Sequence, residues 1–296
     1  MLSKEKIKQI KKLHSKKWRS ESGLFLVEGR KMILELLSSD WRTQIEEMYV
    51  NNTLFEEIVA SFSWEGRELK REFCVLDTEA ISKISTLENN TDGVVVVRQM
   101  RSHPNPTHTK PHPNPLPWGR GDEQQASRIS AAPFSSKGER IQDWGQPGKK
   151  KYYQAWTLVL DGIRDPGNMG TILRTASWFG IRSIICSEDS VELYNPKVVS
   201  ATMGAIFHLH ISYENLEIFY NNNTLWVYGA ELWGKDIAEV AFPKSWVLVL
   251  WSESHGISEI SRKYMTQGIM IPKIGYGESL NVWVASGILL SHISQL

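Results

Sequence analysis

Two short apolar runs in the second half of the chain constrain its fold more than any other feature. Residues Trp156–Asp161 have the sequence WTLVLD and residues Trp246–Trp251 have the sequence WVLVLW, without alternation of apolar and polar side chains. Strands that are apolar at every position are typical of parallel sheets covered by helices on both faces. Further strand candidates alternate with candidate helices to the end of the chain. The pattern predicts an α/β domain with a parallel sheet.

A change of composition divides the chain into parts. Residues 102–151 are rich in Pro, Gly, Ser, Gln and charged residues, and the tetrapeptide HPNP occurs at 103–106 and again at 112–115. Such a segment buries too little apolar surface to offset its ordering entropy, so we predict a disordered insertion or linker. Before it, short strands and helices alternate over residues 1–101 and predict a small α/β domain. After it, residues 152–296 form the domain with the parallel sheet.

The overall composition excludes several classes of protein. The formal net charge is only +1, and two widely spaced cysteines, Cys74 and Cys186, indicate neither a disulfide framework nor a metal site. No apolar run has membrane length and no signal peptide is visible, so we expect a soluble cytoplasmic protein. The first 20 residues differ, because eight lysines and arginines stand against one glutamate and predict a basic amphipathic helix. Its basic face is either simply solvated or contacts nucleic-acid phosphates.

Three polar loops follow apolar segments of the second domain, at residues 161–174, 252–256 and 271–281. Ligands of parallel sheets bind outside the carboxyl ends of the strands, so we expect these loops to converge on one site. In the last loop, Ser279 and Asn281 stand at the start of a strongly apolar helix that we expect to be buried. The two side chains either cap this helix or hold a ligand or reacting group. Neither a GxGxxG nor a P-loop sequence is present, which argues against both nucleotide-binding motifs.

The three loops carry motifs that resemble those of the SpoU/TrmH family, within the SPOUT superfamily. The motifs are Asn168-x-Gly170-x-x-x-Arg174, Glu253-x-x-Gly256 and Ile271-Pro-Lys followed by Ser279-Leu-Asn281-Val. The resemblance implies transfer of a methyl group from S-adenosylmethionine to a ribose 2′-hydroxyl of structured RNA. It also implies a deep trefoil knot in the C-terminal domain, and a homodimer in which each subunit completes the other's site.

Residues 1–98 resemble the substrate-binding domain of the same family, which has an L30e-like fold. The sequence FLVEG at 25–29, preceded by the basic stretch, carries this resemblance. It implies an RNA partner, with ribosomal RNA favoured over transfer RNA.

The resemblance assigns roles to the motif residues. Arg174 is implied to grip the RNA phosphate and ribose, Asn168 to fix the loop beside it, and Glu253 to tie the second loop to its neighbours. Ser279 and Asn281 are implied to orient the ribose and Arg174. Because a guanidinium is effectively always protonated, we interpret Arg174 as an electrostatic clamp for the developing alkoxide rather than as the base. The implied cofactor-binding residues are Leu250, Trp251, Gly256, Ile271, Ser279 and Leu280.

Three residues depart from the family pattern. Trp251 stands where glycine is usual, Ser200 where arginine is frequent, and Trp283 where a small residue is usual. The indole of Trp251 either turns into the core, stacks on the cofactor or occludes its pocket. Occlusion would favour the alternative function, an RNA-binding protein of the same fold with weak or lost methyl transfer.

Overall fold

The computed structural model describes residues 2–62, 73–100, 156–251 and 256–295, which form two α/β units. The predicted disordered insertion at 102–151 lies outside the described residues, so it stays a prediction, as do the domain boundaries. Within these four ranges, every helix is too short or too polar to cross a membrane.

The N-terminal unit is a four-stranded sheet between two layers of helices. Its elements in chain order are α1 (Lys4–Lys12), α2 (Lys16–Ser22), β1 (Leu24–Glu28), α3 (Arg30–Ser38), β2 (Ile45–Val50), α4 (Asn52–Ser61), β3 (Phe73–Val75), α5 (Thr78–Ile84) and β4 (Gly93–Arg98), with a short 3₁₀ helix at Asp40–Gln44. The strand order is β1-β4-β2-β3, with β4 antiparallel to both neighbours and β2 parallel to β3. Helices α1 and α5 cover one face, and α3 and α4 cover the other. The predicted small α/β domain is confirmed, although its basic start forms two helices rather than one.

The C-terminal unit is a six-stranded parallel sheet. Its elements are β5 (Trp156–Asp161), α6 (Pro166–Trp178), β6 (Ser183–Ser187), α7 (Pro196–Thr202), β7 (His210–Glu214), α8 (Leu216–Asn222), β8 (Trp226–Asp236), β9 (Trp246–Trp251), α9 (Glu259–Tyr264), β10 (Gln267–Met270) and α10 (Val282–Ile293), with 3₁₀ helices at Ala205–His208 and Ile237–Glu239. The strand order is β10-β8-β9-β5-β6-β7, and every pair is parallel. The two apolar runs, β5 and β9, lie side by side in the centre. Helices pack on both of their faces, which explains why these strands lack alternation and confirms the predicted parallel sheet.

One strand begins later than its sequence predicts. The alternation of apolar residues and histidines in residues 207–211 predicts a strand, but Ala205–His208 is a 3₁₀ helix and β7 starts at His210. The reason lies just upstream, where Met203 and Gly204 both adopt left-handed backbone angles, with φ of 50° and 98°. These residues end α7 and turn the chain so that Phe207 enters the core.

Helix α10 is buried on one side only. Val282, Ser286, Leu289, Leu290 and Ile293 face the core, whereas Trp283 and Ile288 remain 42% and 41% exposed. The expectation of a helix buried all round is therefore wrong for the second side. Helix α6 and strand β9 cover only the first side, and nothing in the described part of this single chain covers the other.

The two units dock through aromatic and polar contacts. The rings of Phe25 and Tyr194 lie 4.6 Å apart, and those of Trp41 and Phe207 lie 5.8 Å apart. The Tyr194 hydroxyl donates to the carbonyl oxygen of Met100 at 3.3 Å. Apolar side chains from both units join one buried cluster, which fixes the N-terminal unit relative to the parallel sheet.

Candidate active site

The first motif lies at the start of α6, directly after the central strand β5. Asp165 caps this helix, and its Oδ1 accepts a hydrogen bond from the Asn168 amide at 2.7 Å. Pro166 occupies the first helical turn, where its missing N–H costs nothing. The Asp-Pro pair thus sets where α6 begins and places Asn168 in its first turn. Asp165 is a functional-loop residue that the motif search missed, although Asp before Pro is a helix-start signal in the sequence.

Asn281 joins the first and third motifs. Its Oδ1 accepts from the amide of Trp283 at 2.9 Å, so it caps α10, and its Nδ2 lies 3.4 Å from Oδ1 of Asn168. This distance between the two side-chain amides is long for a hydrogen bond, so the contact is weak. It orients the two side chains relative to each other. The capping interpretation of Asn281 is confirmed, and the same amide faces Asn168 of the first motif. That Asn281 also holds a ligand stays a prediction. Residues 113 positions apart meet at the carboxyl edge of the sheet.

Arg174 and Trp178 present an uncovered face of α6. They are one helical turn apart, Arg174 is exposed, and Trp178 is 86% exposed. Within the described residues, the Arg174 guanidinium forms no ion pair. Helix α10 packs against α6, so the exposed sides of the two helices are neighbours.

The chain directly after the second loop is anchored to the end of β5. The amide of Ser258 donates to Oδ2 of Asp161 at 3.1 Å, and Asp161 is nearly buried. Gly256 has a φ of 68°, a backbone angle that favours glycine, and the Trp251 indole nitrogen lies 3.8 Å from where its Cβ would stand. Trp251 is partly buried and packs against the main apolar cluster. Glu253 lies outside the described residues.

The third loop is open to solvent. Ile271 is half-buried, but every residue from 272 to 280 is exposed, including Ser279 and Leu280. The loop is closed on itself by Lys273, whose Nζ donates to the carbonyl oxygen of Gly277. Added Cβ atoms at Gly275 and Gly277 would meet nothing within 4 Å, so open space borders the loop.

These loops can hold the adenosine and methionine parts of the implied cofactor. Leu250 buries its side chain in the core, with 1% exposed, so it can contribute backbone groups only. The glycine turn at Gly256 and the open third loop expose further backbone donors and acceptors at the same edge. Ile271 and Leu280, at the two ends of the third loop, expose apolar surface. Backbone groups of this kind can hydrogen-bond the polar edge of a flat base, and apolar side chains can contact its faces.

A polar network that the motifs did not reveal supports the loop before α6. The amide of Gly162 donates to Oγ of Ser187 at 2.8 Å, and that hydroxyl donates to Oδ1 of Asp189 at 2.7 Å. Nη2 of Arg164 donates to Oδ2 of Asp189 at 2.8 Å. The hydrogen bond from the Ser187 hydroxyl is the largest cause that lowers the pKa of Asp189, and the hydrogen bond from Arg164 is the next largest. The lowered pKa keeps Asp189 ionised near neutral pH. The network ties the β5–α6 loop to the end of β6, and no local sequence pattern signals it.

In the described ranges, no group of His, Cys, Asp and Glu side chains is arranged to hold a metal ion. The thiol of Cys186 is fully buried, and burial raises its pKa.

Comparison with known proteins identifies both units. Residues 155–291 match the model of the SpoU rRNA methylase family, and residues 4–95 match that of the MRM3-like substrate-binding domain. The chain is 24% identical over 293 residues to the 23S rRNA (guanosine(2553)-2′-O)-methyltransferase RlmP of Bacillus subtilis, which covers 98% of this chain and 96% of that protein.

Two solved structures resemble the whole chain. A TrmH-family protein from Porphyromonas gingivalis is 28% identical with a TM-score of 0.70, covering 99% of this chain and 98% of that one. An AdoMet-bound rRNA methyltransferase from Sinorhizobium meliloti is 24% identical with a TM-score of 0.72, covering 100% and 96%. The second likeness concerns the fold alone.

The chain thus combines a parallel α/β unit, with the candidate site at its carboxyl edge, and a preceding unit that matches a substrate-binding domain. The chain belongs to the SpoU/TrmH family, as its three motifs indicate.

Proposed function

We propose that this protein transfers the methyl group of S-adenosylmethionine to a ribose 2′-hydroxyl of ribosomal RNA in the cytoplasm. The observation that carries the proposal is the meeting of Asn168 and Asn281, which brings two motifs of the family together beside Arg174's helix. The match of residues 4–95 to a substrate-binding domain and the name of the Bacillus relative favour ribosomal RNA over transfer RNA.

In this proposal the residues of the chain position the reacting groups. When bound, S-adenosylmethionine would supply the activated methyl group. Arg174 would hold the phosphate and ribose of the target nucleotide, because its planar guanidinium donates in a fixed fork. The same positive charge would stabilise the oxygen as it loses its proton to solvent or a nearby acceptor. Asn281, oriented by its cap and by Asn168, and the exposed Ser279 would align the ribose. Correct alignment supplies much of the rate of such an in-line displacement.

Trp251 gives no support to the alternative function. Its indole packs against the main apolar cluster, which favours the interpretation in which the ring turns into the core, with its nitrogen edge toward Gly256. An RNA-binding protein without methyl transfer therefore has no specific observation in its favour.

We also propose the C-terminal trefoil knot of the family and an L30e-like fold for the first unit. The path of the last segment supports the knot. Strand β10 lies at the edge of the sheet, yet α10 follows after eleven residues and packs on α6 and β9 nearer the centre. This path returns the chain across the carboxyl edge of the sheet, to Asn168 at the start of α6.

A homodimer is part of the same proposal. Its support is that two helices that pack against each other, α6 and α10, expose large apolar side chains, namely Trp178 on α6 and Trp283 and Ile288 on α10. An apolar patch of this kind is typical of an interface rather than of a monomer surface. A second copy placed there would lie next to Arg174 and the third loop, and so could complete the site.

The proposed activity has a direct test. The purified protein is incubated with methyl-labelled S-adenosylmethionine and a 23S rRNA transcript, and the RNA is digested to nucleosides. We expect label in one 2′-O-methylated nucleoside. Label on a base, or transfer to transfer RNA alone, would contradict the proposed substrate or reaction.

A further inference from the structure

A row of lysines covers one side of α1. Lys4, Lys8 and Lys11 recur at intervals of four and three residues and are all exposed, while Ile10 and Leu13 are buried on the opposite side. A further exposed lysine, Lys16, starts α2. We call these four residues the lysine stripe. Within the described residues, none of the four forms an ion pair, in contrast to Lys6, which binds Glu47.

The stripe concentrates positive charge in a chain that is otherwise acidic. The full chain has 34 basic and 33 acidic residues. Residues 2–22 contain eight of the basic and two of the acidic ones, which leaves 26 basic and 31 acidic residues elsewhere. A helix face that is merely solvated does not require basic residues to be concentrated in this way. A concentrated patch of positive charge is instead what a polyanion such as RNA binds.

Arg19 connects the helices that carry the lysine stripe to the C-terminal unit. Its guanidinium makes two hydrogen bonds to Glu192, at 2.9 and 2.7 Å, and its side chain is only 3% exposed. It also donates to the carbonyl oxygens of Leu13 and His14, at 2.9 and 2.8 Å, in the turn between α1 and α2. Glu192 lies on the loop between β6 and α7. One buried side chain therefore fixes the direction of the stripe relative to the parallel sheet.

The stripe leads toward the proposed active site. A cleft of about 280 Å³ between the units is lined by Lys16 and Arg19 on one side and by Arg164 and Asp189 on the other. Arg164 belongs to the loop that enters α6, one residue before the cap Asp165. Although Asp189 binds one of its nitrogens, the Arg164 side chain is 59% exposed. The lining has three basic side chains against two carboxylates, because Glu192 also lines the cleft. Arg19 and Arg164 are each paired with one of these carboxylates, so a small net positive charge connects α1 with the loop of the first motif.

We propose that the lysine stripe, continued by Arg164, is the track on which the RNA backbone lies as it passes from the substrate-binding unit to the active site. This assignment rests on the proposed function, because it names the path of that substrate. Lysines along such a track bind phosphates without reading sequence, and each contact releases counterions. The stripe therefore contributes to affinity and to its salt dependence rather than to the chemical step.

The test reverses charge on the stripe in the full-length protein. Lys8→Glu with Lys11→Glu is compared with a control that makes the same charge change elsewhere, Lys31→Glu with Lys244→Glu. Lys31 lies on α3, across the N-terminal sheet from α1, and Lys244 lies at the amino end of β9; both are exposed. The readouts are the dissociation constant for a 23S rRNA transcript at several salt concentrations, kcat and KM for methylation, and cofactor binding by calorimetry.

We expect the stripe variant to bind RNA at least tenfold more weakly, with its salt slope reduced by about one unit per lysine. Its KM for RNA should rise while kcat and cofactor affinity stay near wild type, because uniform binding is lost. Unchanged RNA affinity and slope, or equal losses in the control variant, would overturn the assignment. If the wild type bound RNA through the stripe yet transferred no methyl group, the proposed function would fail while the track stood.

Discussion

The buried pair between Arg19 and Glu192 provides the sharpest test of how the two units are held together. We consider Glu192→Gln, which removes the negative charge but keeps the side-chain length and one carbonyl acceptor. Arg19 would keep its hydrogen bonds to the carbonyl oxygens of Leu13 and His14. It would lose its negatively charged partner, although the Arg19 side chain is only 3% exposed. Breaking one partner of a buried pair costs about 3–5 kcal/mol, because the remaining charge is uncompensated. Since glutamine can still accept one hydrogen bond, we expect a loss of about 3 kcal/mol.

The matched control is Glu46→Gln. Glu46 also accepts two hydrogen bonds from one arginine, Arg98, at 2.9 and 2.7 Å, but the side chains are 34% and 57% exposed. Solvent screens this pair, so its loss should cost less than about 1 kcal/mol. The free energy of unfolding is measured by urea denaturation, monitored by tryptophan fluorescence. Equal losses in the two variants would refute the claim that burial makes the Arg19 pair a clamp between the units.

Three further predictions concern single features. Trp251→Gly should lower the free energy of unfolding by up to about 3–5 kcal/mol, because the indole packs on the core. Cofactor affinity, measured by calorimetry, should change little. Much weaker or much tighter cofactor binding would instead place the indole in the cofactor pocket. Replacing residues 102–151 with a short Gly/Ser linker should leave the melting temperature and methylation unchanged, because contacts such as Phe25–Tyr194 dock the units; a collapse of either would show that the segment is structural. Trp283→Glu should convert the proposed dimer to a monomer, as measured by analytical ultracentrifugation, and should reduce methylation. A monomeric wild type would contradict the proposed interface.

Much of the fold follows from local patterns in the sequence. The central strands β5 and β9 are apolar throughout because both faces are covered, and the sequence alone places them correctly. The strand predicted from residue 207 is displaced because backbone angles at Met203 and Gly204 override the apolar pattern. The exposed side of α10 could not be predicted, because apolar residues all round a helix do not tell which of its sides the rest of the chain covers.

The site is predictable only in its parts. The three motifs indicate which loops matter, and Asp165 before Pro166 signals where α6 starts. The contacts that join the loops connect residues far apart in sequence, such as Asn168 with Asn281 or Arg19 with Glu192. Their partners are set by the three-dimensional path of the chain, and no local pattern contains them.

The central claim is that Arg174 acts on the RNA and not on the cofactor. The most direct measurement compares Arg174→Ala with wild type in methyl transfer to 23S rRNA and in S-adenosylmethionine binding by calorimetry, with the exposed Arg182→Ala, before β6, as control. We predict that Arg174→Ala lowers kcat by about 10²–10³ while cofactor affinity stays nearly unchanged, that Arg174→Lys recovers little, and that Arg182→Ala resembles wild type. Loss of cofactor affinity in parallel with activity, or full activity without Arg174, would contradict the account.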